Sequence, residues 1–437
     1  MKKLLHIDKN IPGIVMVNVL VICTLLLSYA CTSQSDIPTK VKYQNIKIET
    51  CNADTLNIYH ILAPETEKTE QKFPLIIVLD PHGSGLYAVQ NFQPAVSLFP
   101  CLIAGSDLIK NNFPDFENAI LQLIQDVEMK YPVDEQIIIL AGFSGGARMA
   151  YYFSVKYRVK GLIMCGAGPG KQKPSCPVFM IAGMGDFNFA EQYVRPDIAS
   201  FDKLQRTNSF FHGAHEWPKE NQLADALLFL LRDSKNMEKL CDKRSSDLLQ
   251  SADSLTKNED YLMAWQALEK AAKISGNKSL KKKALKHGNN MLKSEDFQKA
   301  LRTLENDLRR EQEIQHTCIQ AMSTKNFSWW KDELSKLNQK LNNSSGTEAD
   351  HFLRIKGFIG ILFYSQINNL IHSDPDNSSL ETLLKSYAFA EPENPDPYYF
   401  MALHARQNGN REACEENRNK AIKLGFSDKE KLKKIMF

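Results

Sequence analysis

The chain has 437 residues, of which 43% are hydrophobic, and its formal net charge is +3 at pH 7. That length and hydrophobic content suffice for two globular domains, each large enough to bury its own core. The small net charge gives no case for a nucleic-acid partner, and we expect the lysine-rich run at residues 278–283 to be a solvated helix face. The ten histidines are scattered and no C-x-x-C occurs, so we predict no metal site and no cofactor.

The first thirty residues have the form of a secretory signal peptide. Two lysines precede a continuous apolar core at residues 14–27, and Ser-Tyr-Ala at residues 28–30 stands before Cys31. The segment resembles a bacterial lipoprotein signal, in which the cysteine is lipidated and becomes the new N-terminus, although Leu27 lies one place too early for the usual pattern. Ordinary cleavage at the same bond and an uncleaved membrane helix are the alternatives.

We therefore expect an exported protein, held on the periplasmic or cell-surface side of a bacterial membrane by a lipid anchor on Cys31. The polar residues that follow predict a tether over residues 31–44.

Residues 45–233 alternate short apolar runs with helical patterns. Runs in which apolar and polar residues alternate are typical of half-buried strands, and continuous apolar runs are typical of central parallel strands. Together they predict a doubly wound, mostly parallel α/β sheet with a functional site at the carboxyl ends of its strands. The predicted strands are residues 46–48, 56–62, 75–79, 101–105, 137–140, 162–165, 177–183 and 208–211, and residues 113–131 predict a helix.

Residues 142–146, Gly-Phe-Ser-Gly-Gly, form a G-x-S-x-G motif between a predicted strand and a predicted helix. That context is the one a nucleophile elbow requires, because the serine then stands on a sharp turn flanked by small residues. The pattern indicates Ser144 as a nucleophile.

An acid and a histidine follow in the order that such a site needs. Asp186 follows the predicted strand at residues 177–183, in a loop of small residues. His215 lies in a glycine-rich turn after residues 208–211. We choose His215 over His212 because it lies past the glycine, in the loop. Asp197 and Asp202 are the alternative acids.

An oxyanion site should accompany the triad. One donor is expected to be the backbone N–H of Gly145, and the second the N–H of Gly83 or Ser84, in the loop after residues 75–79. His82, in the same loop, is interpreted as a bracing residue. Glu216 and Trp217 are expected to shape the loop around His215.

Residues 45–233 resemble the α/β-hydrolase superfamily, particularly its compact esterases, which include dienelactone hydrolase-like and carboxylesterase-like enzymes. The resemblance implies Ser144 as nucleophile, Asp186 as acid and His215 as base. Because dienelactone hydrolases proper use a cysteine nucleophile, the serine favours ordinary ester hydrolysis. Only residues 166–175 separate two predicted strands at the place where family members insert a lid, so we expect an open site.

After residue 233 the strand patterns end and apolar residues recur at helical spacing to residue 437. Residues 393–425 resemble a tetratricopeptide (TPR) repeat, and residues 262–271 a weaker copy. We therefore predict an all-helical, TPR-like domain at 234–437 that presents a surface to a protein partner. A packing or dimerisation domain without a separate ligand is the alternative.

The cysteines allow one further expectation. Cys101 and Cys165 lie in apolar runs, so they should be buried thiols. Cys165 and Cys176 are close enough in sequence to pair in an oxidising compartment, but the sequence does not give their distance.

Taken together, the sequence predicts an exported serine hydrolase that acts on small-molecule or glycan-linked carboxylic esters through a Ser-His-Asp triad. Two alternatives stay open: a non-catalytic binding or assembly lipoprotein, and a serine peptidase.

Overall fold

A computed structural model describes residues 41–66, 71–97, 99–193, 206–234 and 236–436. Within these ranges a sheet with flanking helices precedes a region made entirely of helices. No helix in the described ranges combines the length and hydropathy needed to cross a bilayer.

In the described part of the chain, eight strands form one sheet in the order β1-β2-β4-β3-β5-β6-β7-β8. The first two strand pairs in that order are antiparallel, and all later pairs are parallel. The strands are β1 (Lys47–Thr50), β2 (Ile58–Leu62), β3 (Phe73–Leu79), β4 (Leu102–Ser106), β5 (Val133–Phe143), β6 (Gly161–Cys165), β7 (Val178–Gly183) and β8 (Arg206–Phe211).

Helices cover both faces of the sheet. They are α1 (Gly85–Phe92), α2 (Phe116–Lys130), α3 (Gly145–Lys156), the short α4 (Phe189–Gln192) and α5 (Glu220–Leu231). Helices α1 and α5 pack with Ile76 and Val78 of β3, whereas α2 and α3 pack with Leu75 and Ile77. Both faces of β3 are therefore buried, which is why its sequence is continuously apolar. The predicted fold class, a doubly wound, mostly parallel α/β sheet followed by helices, is confirmed.

Ten helices of the described residues follow the sheet. They are α6 (Glu238–Lys257), α7 (Tyr261–Ile274), α8 (Lys278–Leu292), α9 (Glu295–Thr324), α10 (Phe327–Asn342), α11 (Gly346–Ser373), α12 (Leu380–Ala390), α13 (Asp396–Gln407), α14 (Arg411–Lys423) and α15 (Lys429–Lys433). Of the two segments predicted to be TPR-like, residues 262–271 lie within α7, which follows α6, and residues 393–425 include the pair α13 and α14.

The same type of turn connects the two helices in each of these pairs. Glu259 and Gly409, at the centres of the turns, have positive φ angles of 62° and 69°. The residue after each, Asp260 or Asn410, caps the second helix by accepting a hydrogen bond from a backbone N–H three residues on. The pairs are thus built alike, although membership in the TPR family stays a prediction.

The core of the sheet continues into the helical region. Leu227 and Leu230 of α5 lie in the same apolar cluster as Leu248 of α6 and Leu268 of α7. The backbone N–H of Phe210 in β8 also donates to Oε1 of Gln266 in α7, at 2.6 Å. Residues on either side of position 233 therefore share one core.

The described end of the predicted tether also packs on the sheet region. Tyr43 forms a β-bridge with Pro64, and its hydroxyl lies 3.3 Å from the carbonyl oxygen of Phe99. The predicted signal segment and Cys31 lie outside the described residues.

The thiols follow the sequence prediction. Cys101 and Cys165 are buried and free, and burial raises the pKa of each well above its ordinary value. Cys176 is free as well, so it is not paired with Cys165 here, and burial raises its pKa to about 11.

Candidate active site

Ser144 occupies a strained turn between β5 and α3. Its backbone has φ 52° and ψ −118°, in a region that non-glycine residues rarely enter. A Cβ on Gly142 would lie 2.5 Å from the backbone carbon of Gly146, and a Cβ on Gly146 would collide with the carbonyl oxygen of Leu79. The Ser144 N–H donates to the carbonyl of Cys165 at 2.8 Å. Close backbone packing thus explains the glycines and holds the turn in place.

The structure brings Ser144, His215 and Asp186 together in one hydrogen-bonded chain. Oγ of Ser144 lies 3.0 Å from Nε2 of His215, and Nδ1 of the same ring lies 2.9 Å from Oδ2 of Asp186. The three side chains come from the ends of β5, β7 and β8, which are neighbours or near neighbours at one edge of the parallel sheet. The geometry lets the imidazole accept the serine proton while the carboxylate fixes its other nitrogen.

Asp186 is fully buried and held from both sides. While Oδ2 faces His215, Oδ1 accepts a hydrogen bond of 2.7 Å from the backbone N–H of Asn188. The Asn188 side chain in turn donates to the carbonyl of Gly166 at 2.9 Å. The carboxylate therefore has little freedom to rotate away from the imidazole.

Aromatic rings flank the His215 imidazole. The ring centroids of Phe143 and Phe187 lie 4.6 and 4.5 Å from that of His215. Trp217 stacks on Phe143 at 5.3 Å, which supports the prediction that it shapes the loop. The His215 side chain is still 20% exposed, so the imidazole is oriented by packing and yet accessible from solvent.

The loop predicted to supply an oxyanion donor is organised by Asp80. The N–H of Gly83 donates to the Asp80 carbonyl at 3.2 Å, and the N–H of Ser84 to its carboxylate at 3.4 Å. The His82 N–H makes the shorter bond to that carboxylate, at 2.8 Å, while its side chain is exposed. The two predicted donors thus have long bonds inside the loop.

Gly145, the other predicted donor, begins α3, and the first N–H groups of a helix have no acceptor within the helix.

Asn111 is a candidate site residue that sequence reasoning missed. Its side-chain amide fills the space where a Cβ on Gly145 would stand; Oδ1 is the atom nearest to that position, and Nδ2 lies 3.0 Å from it. Its backbone N–H donates to the carbonyl of Pro81 at 2.9 Å, which ties this loop to the loop of Gly83. The only signal in the sequence was a polar loop after a predicted strand, and such loops are common.

The alternative site residues do not join the triad. His212 lies 2.9 Å from Asp260 and 2.5 Å from Asp350, both in the helical region. Asp197 and Asp202 fall outside the described residues. In the ranges that the structure describes, no group of three or more His, Cys, Asp or Glu residues could hold a metal ion.

The helical region borders the site, a feature that the prediction of an open site did not include. Residues 166–177 form no helix, as the short spacing implied. However, Gly357 of α11 packs against Phe187, so that a Cβ there would lie 3.1 Å from its ring. The start of α13 also lies near the loop of His82: burial raises the pKa of Asp396, and the charges of Lys431 and His82 oppose that rise.

No protein-family model and no curated protein sequence matches the chain. Among solved structures, it is similar to the S-formylglutathione hydrolase of Staphylococcus aureus, with 10% identity and a TM-score of 0.37 over 45% of this chain and 99% of that one. It is also similar to a hyperthermophilic esterase from the archaeon Pyrobaculum calidifontis, with 12% identity and a TM-score of 0.31 over 46% and 90% of the two chains. A thermostable esterase from Pseudomonas putida has 12% identity and a TM-score of 0.32 over 46% and 82%. Each similarity covers less than half of this chain, so what the site does must follow from its own side chains.

Proposed function

We propose that this protein is a serine hydrolase that cleaves carboxylic esters through an acyl-enzyme. One observation carries the proposal: Ser144, His215 and Asp186 form a continuous hydrogen-bonded chain whose serine stands on a strained, glycine-flanked turn. A buried carboxylate, an oriented imidazole and a serine at 3.0 Å are the components of nucleophilic acyl transfer.

The proposed reaction has two halves. Oγ of Ser144 attacks the ester carbonyl while Nε2 of His215 takes the hydroxyl proton, and Asp186 stabilises the imidazolium that forms. The C–O bond to the alcohol then breaks, and the alcohol leaves with the proton from His215. In the second half a water molecule gives a proton to His215 and attacks the acyl-serine; the bond between the acyl carbon and Oγ then breaks, Oγ takes the proton back from His215, and the carboxylic acid leaves.

The negative oxygen of each tetrahedral intermediate needs hydrogen-bond donors. We assign one to the N–H of Gly145, which starts a helix beside the nucleophile. The side-chain amide of Asn111 is the second candidate, because it lies against Gly145 and a 180° rotation of the amide exchanges its oxygen and nitrogen. The N–H groups of Gly83 and Ser84 remain candidates, provided that they exchange their long bonds to Asp80 for the substrate.

The cellular setting of this activity is proposed from the sequence. Export, a lipid anchor on Cys31, glycan-linked esters as substrates and a protein partner on the TPR-like region all rest on sequence patterns. The other functions compatible with the chain are a serine peptidase and a silent scaffold, and both are outcomes of the following test.

The test is hydrolysis of p-nitrophenyl esters of increasing acyl length, compared with p-nitroanilides, by residues 32–437. We expect ester turnover, its loss in Ser144→Ala, and a fall of about 10⁴-fold in kcat in Asp186→Asn, which leaves the imidazole without its ionic partner. Asp253→Asn, at an exposed position of α6, is the matched control and should keep full activity. Turnover of the p-nitroanilides as well as the esters would favour a peptidase, because the amide is the harder bond to cleave, and a folded wild type without activity would favour the scaffold.

A further inference from the structure

One face of α11 lies against two loops: the loop that carries Asp186, called the acid loop below, and the loop that carries His215, called the base loop. Asp350, Leu353, Arg354 and Gly357 follow the three- and four-residue spacing of a single helix face. Leu353 packs against Gly185, since a Cβ on that glycine would lie 2.7 Å from the Cβ of Leu353.

Arg354 holds the acid loop directly. Its Nη1 donates to the carbonyl of Met184, two residues before Asp186. Its Nε lies 3.0 and 2.9 Å from the two carboxylate oxygens of Glu311 in α9, and Nη2 lies 2.7 Å from Oε1. Arg354 and Glu311 are 3% and 4% exposed, so this is a buried ion pair aimed at the backbone of the acid loop.

Gly357, one turn further along α11, contacts the residue after the acid. A Cβ at this position would lie 3.1 Å from Cδ1 of Phe187, whose ring packs at a tilt against that of His215, with the centroids 4.5 Å apart. A glycine here therefore lets α11 approach Phe187 closely enough to confine it against the imidazole.

The base loop has its own anchor to the same helix. Nδ1 of His212 lies 2.5 Å from Oδ2 of Asp350, and Nε2 lies 2.9 Å from Oδ2 of Asp260 at the start of α7. His212 stands three residues before His215. Asp350 is 1% exposed and is thus a fixed point for the loop.

We propose that α11 positions the triad. Arg354 is a positioning residue for Asp186, and the absence of a side chain at Gly357 fixes where the Phe187 ring lies. This inference rests on the proposed function. It makes the helical region a structural part of the catalytic site, whether or not that region also binds a partner. The physical reason is that catalysis depends on placement within a fraction of an ångström, and a misplacement of about 1 Å can cost about 10²-fold in rate.

Gly357→Ala is the first test, because alanine is the better helix former and the variant should fold. Its methyl group must push Phe187 by a few tenths of an ångström. We expect kcat for a p-nitrophenyl ester, and the rate of labelling by a fluorophosphonate, to fall about fivefold or more with KM unchanged. Gly288→Ala in α8 is the matched control, since its methyl group would meet only Leu268 at an ordinary contact distance of 3.8 Å.

Arg354→Lys and Arg354→Met form the second test. Lysine keeps one charged donor and should retain more activity per folded molecule than methionine. Arg244→Met is the control, because Arg244 also pairs with a buried carboxylate, Asp225, away from the acid loop. In both methionine variants the carboxylate that loses its arginine keeps one other basic partner. That partner is His351 for Glu311 and Lys270 for Asp225.

Loss of rate in Gly357→Ala and Arg354→Met, with normal rates in Gly288→Ala and in the folded fraction of Arg244→Met, would support the inference. Wild-type rates in folded Gly357→Ala and in the folded fraction of Arg354→Met would overturn it while the proposed function stands. An unlabelled, inactive wild type would overturn the proposed function and this inference with it.

Discussion

Ser144 combines backbone strain with a hydrogen bond to His215, and its neighbours explain how the strain persists. A residue held at such a positive φ costs on the order of 1–3 kcal/mol. The turn is fixed by the hydrogen bond to Cys165 and by glycines at 142 and 146 that allow backbone to touch backbone. The surrounding sheet thus maintains a conformation that the serine would not adopt by itself.

Asn111→Ala tests the second oxyanion donor. If the amide of Asn111 stabilises the negative oxygen, its removal should lower kcat about 10²- to 10³-fold with little change in KM. Asn118→Ala, at an exposed position of α2, is the control. A change below about threefold in Asn111→Ala would return the role to the N–H groups of Gly83 or Ser84.

The residues of the hydrogen-bonded chain were predictable from the sequence, whereas the residues that pack around it were not. Ser144, Asp186 and His215 each follow a local apolar run, and their order along the chain is itself a signal. Asn111 and Arg354 lie 33 and 210 residues from Ser144, at positions (111, 354 and 144) that only the folded chain brings to one site. Their sequence surroundings are an ordinary polar loop and an ordinary helix.

The connection between β8 and the helical region depends on a charged histidine. Hydrogen bonds to Asp260 and Asp350 raise the pKa of His212 from 6.5 to about 10, against the opposing effect of burial. A pKa raised on folding contributes stability that is complete below the unfolded value and is lost as pH rises through the folded value. The window for this loss is therefore pH 6.5 to about 10.

His212→Gln tests that connection. We expect the difference in Tm between wild type and variant to be largest below pH 6.5 and to shrink towards pH 10. The difference should be modest, because the His212 side chain is 35% exposed. His316→Gln, at an exposed position of α9, should follow the wild-type curve. A Tm difference that is constant with pH would contradict the assignment of a charged His212.

Strands were predicted more closely than helices. The runs at residues 75–79 and 162–165 lie within β3 and β6, because a buried parallel strand is apolar throughout. Strand β5 begins at Val133, four residues before the predicted run, since residues 134–136 are polar and partly or fully exposed and so gave no apolar pattern. The bounds of the long helices α9 and α11 were not predicted, although the buried residues of α9 at positions 297, 301, 304, 311 and 318 follow one helix face.

The sheet and the helices after it share packing that the sequence did not reveal. Residues of α6 and α7 complete the cluster beneath α5, and Ala182 and Phe210 of the sheet lie in a cluster with Phe297 of α9. The change of composition at residue 233 follows the last strand, β8, and helix α5. It does not mark where the core ends, because a contact between distant segments leaves no local pattern.

A chain of residues 41–233 tests this shared core. Its α5 and β8 would expose apolar surface that α6 and α7 cover in the full chain. We expect the fragment to aggregate or to elute as a large species in size-exclusion chromatography, while residues 41–437 elute as a compact, labelled protein. A soluble fragment that a fluorophosphonate labels at the full-chain rate would contradict both the shared core and the role of α11.

The central claim is that His215 activates Ser144, and fluorophosphonate labelling of residues 32–437 with detection by intact mass tests it most directly. The wild type should gain the mass of a single adduct, and Ser144→Ala and His215→Ala should gain none. A folded wild type that takes no label, or a label that persists in Ser144→Ala, would contradict the claim.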